Sequence, residues 1–322
     1  MLAHTTKVNT FEIDSMAAIE LEGLSKDYGE VLANDQLTFS VDRGEVFGYL
    51  GPNGAGKTTT IRMLLGFIKP TAGTGRVLGH NIRDRKALIE AKRRIGYLSD
   101  EPGFDERATG KQILNLHAAV KGDERSDELL QLFDPPLERS VREYSRGNVQ
   151  KLGLVTTFMH KPDLVILDEP TVGLDPLMKQ RFAEFLREEQ RRNVTVFFSS
   201  HILGEVRRLC DRVGIIRDGT LVTIEPIETL LNRSGKVVRV DSAEPIPLDV
   251  LSIDGVHALE TTVTGDEDAN PETEFTDAAF TFTGDINTLL KRLSAHELLD
   301  VTVEEAPLED VFLRFYGGEN SA

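Results

Sequence analysis

Eight residues, Gly51-Pro52-Asn53-Gly54-Ala55-Gly56-Lys57-Thr58, fit the pattern GxxxxGK[ST]. The chemistry of that pattern is the holding of a phosphate chain. Gly54 and Gly56 let the backbone approach an anion closely, with amide N–H groups pointing inward. Lys57 adds a point charge for terminal phosphates, and the Thr58 hydroxyl can ligate magnesium. Gly51, Asn53, Ala55 and Thr59 belong to the same binding segment. A second group follows downstream, where the apolar run Leu164-Val165-Ile166-Leu167 ends in Asp168-Glu169. Asp168 can hold magnesium, directly or through water. Glu169 stands where it can polarise an attacking water as general base. A strand that merely ends in acid is the blander reading, and it loses ground beside a glycine loop of this type.

The glycine loop needs a strand before it and a helix after it, whose positive end then faces the anion. A short buried strand is predicted at 45–50 and a helix at 58–67. Further strands are predicted at 75–78, 94–98, 163–167, 194–199 and 213–217. Alternating Ile19 and Leu21, then Leu37, Phe39 and Val41, predict edge strands of an antiparallel sheet. Helical patterns fill 109–160, 177–192, 202–210 and 226–232, and the stretch near 100–160 reads as a helical insertion in an α/β core. The chain breaks around 232–235. Beyond the break, strands at 237–241, 280–283 and 299–304 alternate with helices at 286–294 and 308–316, and 263–276 reads as a polar loop. That pattern describes a small α+β or α/β domain.

The charge is divided in the same place. Residues 1–240 hold 34 acidic and 34 basic residues, whereas residues 241–310 hold 18 acidic residues against Lys291 and Arg292 alone. The net charge of −16 over 322 residues therefore sits in the carboxyl-terminal part. Such a surface repels phosphate and anionic headgroups, which argues against nucleic-acid binding and direct membrane contact. It is either a solvated face or a dock for a basic partner. Cys210 is the one cysteine, so an intramolecular disulfide and a cysteine-rich zinc site are excluded. No apolar run reaches the roughly 18 residues of a membrane helix, and the start lacks a secretory core. Residues 1–16 read as a flexible leader, with Met16 a second candidate start.

Taken in order, these sites and several others resemble the ATP-binding subunit of an ATP-binding-cassette (ABC) transporter. Tyr28-Gly29 looks like the aromatic that stacks on adenine. Tyr144-Ser145-Arg146-Gly147-Asn148, followed by Gln150-Lys151, looks like the signature segment, whose Ser145 and Gly147 would bind the γ-phosphate of ATP held by the opposite subunit. Gly173-Leu174-Asp175 resembles the loop that crosses the dimer interface. Ser199-Ser200-His201 resembles the switch segment, with His201 on the γ-phosphate. Asp100, after Gly96-Tyr97-Leu98-Ser99, falls where the family has Gln or Glu as a further magnesium or water contact; Glu101 is its neighbour. Arg146 and Asn148 also depart from the family's Gly and Gln.

The resemblance covers about 17–232, with 236–322 as an acidic accessory domain. It implies an α/β fold: a phosphate-loop ATPase core with an antiparallel β subdomain and a helical subdomain, followed by the small α+β domain. It implies ATP and Mg2+ as cofactors, with Glu169, His201 and Lys57 as catalytic groups and Thr58, Asp168 and Asp100 at the metal. It implies a homodimer or a paired ATPase subunit on a separate membrane permease, and so a cytoplasmic chain held at the inner face of the cell membrane. Ala306-Pro307-Leu308-Glu309-Asp310-Val311-Phe312-Leu313 resembles the tail of an exporter-like branch. A soluble ABC ATPase of translation or DNA repair is the alternative; such proteins carry two cassettes or long coiled-coil insertions, and neither is present here.

Overall fold

Val46–Leu50 is buried at every position, as a strand covered on both faces must be. It is the third strand of a chain whose computed structural model describes residues 17–264 and 273–305. The chain divides into two units, one up to Ile224 and one from Glu225.

In the first unit, β1 (Ala17–Asp27) and β2 (Leu32–Asp42) lead into β3 (Val46–Leu50) and α1 (Lys57–Leu64). Then come β4 (Ala72–Val77), β5 (His80–Asn81), α2 (Arg85–Arg93) and β6 (Ile95–Leu98). Three helices follow, α3 (Gly110–Lys121), α4 (Ser126–Phe133) and α5 (Arg146–Phe158). The unit closes with β7 (Leu164–Asp168), α6 (Pro176–Arg191), β8 (Thr195–Ser200), α7 (Leu203–Leu209), β9 (Arg212–Arg217) and β10 (Thr220–Pro226).

Two sheets make its core. One is antiparallel, ordered β2-β1-β4-β5. The other is ordered β10-β9-β3-β8-β7-β6, with parallel pairing from β9 to β6. Phe39 of β2 stacks on Phe47 of β3 at 5.6 Å between ring centroids, and Phe197 of β8 lies 5.8 Å from Phe47. These rings join the two sheets into one apolar layer. Each of them, fully removed from water, contributes about 2 kcal/mol or more. The helices are tied to the core by Phe133 and Phe158, which meet Phe185 of α6 edge-on at 5.4 and 4.8 Å. A buried ion pair adds to that contact: Arg125 Nη1 lies 2.7 Å from Glu189 Oε2, with both side chains at 5% exposure or less.

The second unit holds α8 (Ile227–Ser234), β11 (Lys236–Pro247), β12 (Val256–Thr262), β13 (Glu274–Phe282), α9 (Ile286–Leu293) and β14 (Leu298–Glu305). Its antiparallel sheet is ordered β12-β13-β11-β14. Val238, Val240, Phe275, Phe280 and Phe282 form a separate core with Leu289 and Leu293 of α9.

Four differences from the sequence reading are informative. The polar stretch at 263–276 is not all loop, because Glu274 opens β13 and Phe275 and Thr276 are buried. Strand β1 is not an edge, since β4 pairs along its other side. The unit boundary at Ile224 puts α8 in the second unit. Helix α2 and strands β5, β10 and β12 are additional elements. The leader at 1–16, the helix expected at 308–316 and the tail motif lie outside the described residues.

Candidate functional site

Strands β3, β8 and β7 are neighbours and parallel, so their carboxyl ends lie side by side. Ligands in α/β sheets bind at such ends. The glycine loop leaves β3, His201 follows β8, and Asp168-Glu169 ends β7. Residues 110 positions apart in the chain thereby become contacts: Thr58 Oγ1 donates to Asp168 Oδ2 at 2.9 Å.

The loop's backbone explains its glycines. Gly56 sits at φ 102, and a Cβ there would lie 2.4 Å from the Ala33 carbonyl. Gly54, at φ 85, has nothing within 4 Å of its Cβ position, so its face is open to a ligand. No side chain caps the start of α1, which leaves its first-turn amides to an anion. The open cavity beside them measures about 420 Å³ and is lined by Asn53, Thr58, Thr59, Asp100, Asp168 and Glu169, among others.

Lys57 is 7% exposed and donates to the carbonyls of Gly51 at 2.6 Å and Pro52 at 3.2 Å. Its ammonium stands 3.5 Å from Glu169 Oε1. The other Glu169 oxygen meets His201 Nδ1 at 2.8 Å. Glu169 itself has φ 50, a left-handed conformation that non-glycine residues rarely adopt. Its amide donates to the Ser199 carbonyl at 3.0 Å, and Gln150 Nε2 donates to the Pro170 carbonyl at 2.9 Å, which hold it there.

Asp168 is buried, and burial pushes its carboxyl pKa up. Hydrogen bonds from Thr58 and Ser199 and the charge of Lys57 oppose that rise, while Asp100 adds to it. The site's oxygens suit magnesium, which is held through one or two carboxylates together with substrate phosphates. The Thr58 hydroxyl and the Asp168 carboxylate supply hard ligands, and Glu169 Oε1 is buried without a hydrogen-bond partner.

Other expected residues stand apart from this cavity. Ser145 caps α5, its Oγ accepting from the Asn148 amide at 3.3 Å. Gly147 faces Gly173, whose carbonyl would lie 2.5 Å from a Cβ on Gly147. Asp175 caps α6 by accepting from the Met178 amide at 2.8 Å. None of these three lines the cavity. Tyr28 is exposed, with Lys26 Nζ 4.8 Å over its ring, and is not in the lining either. Val31 and Leu32 are, and a turn joins Tyr28 to Val31. Asp100 lines the cavity while paired to Arg146 at 3.1 Å. The sequence reading missed Val31, Leu32, Asp218 and Gly219 on the wall. For the last two, the Asp-Gly turn signal was available.

The ABC transporter family description matches residues 34–172. The bacitracin transport ATP-binding protein of Bacillus licheniformis is 35% identical over 93% of this chain and 97% of its own length. A Nod factor export ATP-binding protein of Paraburkholderia xenovorans is 35% identical over 94% of this chain and 98% of its own. Among solved structures, the ATP-binding subunit of an ABC transporter is 30% identical, with a TM-score of 0.61 over 67% of this chain and 92% of that one. A dimeric cassette bound to ADP and phosphate, 20% identical, shares the fold with a TM-score of 0.59 over 65% of this chain and 98% of its own. These relatives are transport proteins, which sets aside the soluble translation or repair alternative. The chain belongs to the ABC transporter family as an ATP-binding subunit with ATP-hydrolysing chemistry.

Proposed function

We propose that two copies of this chain, or this chain and a related ATPase subunit, close around ATP and drive export through a separate membrane permease. One observation carries the reading. Lys57, Thr58, Asp168 and Glu169 line one cavity and His201 joins them through Glu169, while the capped α5 start at Ser145 and Gly147 stands outside the lining. A second chain is then needed to bring its α5 start onto the γ-phosphate.

In that closed state Lys57 exchanges the Gly51 and Pro52 carbonyls for the β- and γ-phosphates. Glu169 Oε takes a proton from the water whose oxygen attacks the γ-phosphorus. The bond to the bridging oxygen breaks, leaving ADP and phosphate. His201, held on Glu169, contacts the γ-phosphate. Mg2+ at Thr58 and Asp168 would neutralise charge on the phosphate oxygens, with Asp100 at the edge of that site. Tyr28 would stack on adenine beside Val31. Loss of the γ-phosphate removes the bridge between the chains, and the dimer opens.

Among the described residues no helix is long and apolar enough to cross a membrane. The proposal places the chain at the cytoplasmic face, held by the permease, as the resemblance to permease-coupled ATPase subunits implies. A groove of about 620 Å³ supports such docking. Phe67, Leu88 and Ile89 give it apolar walls, Lys69, Arg83, Arg85 and Lys92 surround them, and no acidic residue lines it. It fits an acidic amphipathic segment of a permease. Export follows the relatives named for bacitracin transport and Nod factor export. The test is purification of the tagged chain from solubilised membranes, with mass spectrometry of what accompanies it. A stoichiometric multi-span protein supports the reading. Recovery of the chain with no membrane protein overturns it.

A further inference from the structure

Glu205 lies on α7, four residues after His201, and does not line the nucleotide cavity. Its carboxylate is 13% exposed and gathers three side chains from three other segments. Thr171 Oγ1 donates to Glu205 Oε2 at 2.6 Å. Ser200 Oγ donates to the same oxygen at 3.2 Å. Lys179 Nζ, on α6, donates to Oε1 at 2.9 Å.

Each contact leads to a group of the proposed site. Thr171 is two residues after Glu169, and the Val172 amide turns back to the Glu169 carbonyl at 3.3 Å. Ser200 precedes His201, and its Oγ also accepts from the Ile202 amide at 2.9 Å, so the hydroxyl brackets the histidine. The Lys179 amide donates to the Asp175 carbonyl at 2.9 Å, at the start of α6 after the Gly173–Asp175 turn. Glu169 and His201 follow different strands, β7 and β8, and their side chains meet through one 2.8 Å contact. That contact persists only while the two loops keep their spacing, and a displacement of about 1 Å is enough to cost large factors in rate.

We infer that Glu205 is a positioning residue for ATP hydrolysis: it fixes the loops that carry Glu169 and His201 against each other and against the start of α6. The inference rests on the proposed roles of Glu169 and His201. A charged acceptor suits this place, because one carboxylate can receive three donors at once and charge-assisted bonds are the stronger kind. Glutamine in its place keeps volume and one acceptor oxygen but turns an amide N–H towards one of the donors. Aspartate falls short by about 1.5 Å, one C–C bond.

The test uses the full-length chain and reads kcat and KM for ATP separately, with melting temperature alongside. Glu205→Gln is expected to fold, to keep KM within about twofold and to lower kcat about tenfold or more. Glu205→Ala lowers kcat about 100-fold, Glu205→Asp does not restore it, and adding Thr171→Ala to Glu205→Ala lowers it no further, since both act through one contact. Turnover of Glu205→Gln within twofold of wild type overturns the inference. So does a purely additive double variant. Glu169→Gln runs in parallel: full turnover there removes the assigned site itself, whereas a dead Glu169→Gln beside an unaffected Glu205→Gln removes only this inference.

Discussion

Replacing Gly147 by alanine tests how the start of α5 bears on Glu169, the proposed general base. The added Cβ would lie 2.5 Å from the Gly173 carbonyl oxygen. Ordinary contact begins near 3.4 Å, so the two backbones must separate by about 0.9 Å. Helix α5 cannot supply that movement, since Leu152, Leu154, Val155 and Phe158 are wholly buried. The loop carrying Gly173 must move instead. That loop is short and internally bonded, with the Leu174 amide on the Thr171 carbonyl at 3.2 Å and the Val172 amide on Glu169. The displacement therefore reaches Glu169. Overpacking of this kind costs about 1–3 kcal/mol. Expressed wholly in the transition state, it lowers kcat roughly 5- to 150-fold. The affinity for a fluorescent ATP analogue, assigned by the proposal to Lys57 and the glycine loop, is expected to stay within about twofold. An extrinsic probe is needed because the chain has no tryptophan. Gly103→Ala is the reference, since nothing lies within 4 Å of its Cβ position. Wild-type turnover in Gly147→Ala with an unchanged melting temperature would rule out this displacement as a route to Glu169, and so would an equal loss in Gly103→Ala.

Glu169→Gln should keep nucleotide binding and lower turnover by about 10²–10⁴-fold, measured as phosphate release at saturating ATP; undiminished release contradicts the general-base role. His160 is buried, its Nε2 donates to the Ile95 carbonyl at 3.3 Å, and its Nδ1 has no partner. Burial, then the Lys121 charge, lower its pKa from 6.5 to about 4. The unfolded chain thus binds a proton that the folded chain refuses, and stability falls as pH drops from 6.5 to 4, by on the order of 2 kcal/mol. Urea titrations should show this slope in wild type and a shallower one in His160→Gln. In the second unit, Asp241 of β11 pairs in register with Asp277 on one side and Asp300 on the other. Like charges placed opposite each other destabilise a sheet, so Asp241→Asn should stabilise the unit by about 0.5–1 kcal/mol at low salt. The gain should shrink in 1 M KCl, where screening shortens to about 3 Å; a salt-independent gain counts against the electrostatic cause.

What the sequence made legible was local. The glycine loop, the Asp168-Glu169 strand end and the Tyr144–Asn148 segment are each written in consecutive residues, although the Ser145 helix cap within the last came only with the structure. The assembly of β3, β8 and β7 side by side was not legible, since sheet order is not encoded in any one segment. Glu205 was missed for a related reason. A glutamate in the first turn of a helix reads as an ordinary dipole partner, and only the fold brings Thr171, Ser200 and Lys179 to it. Strand β10 was missed although Asp218-Gly219, both at positive φ, marks its turn. Phe275 was taken for loop because 263–276 is acidic as a whole, whereas burial is decided residue by residue along β13.

Each ATP is proposed to lie between the glycine loop of one chain and the α5 start of another. Mixing Lys57→Ala with Ser145→Asp puts that composite site to the test. Aspartate caps a helix as well as serine does, so α5 is preserved while a carboxylate faces the incoming γ-phosphate. In a dimer of identical chains each variant alone has both composite sites broken. A mixed dimer has one site with both defects and one with neither. Two nearly inactive preparations are expected to recover turnover on mixing, to roughly a quarter of wild type for random pairing and independent sites. No recovery above the separate variants would contradict the composite site.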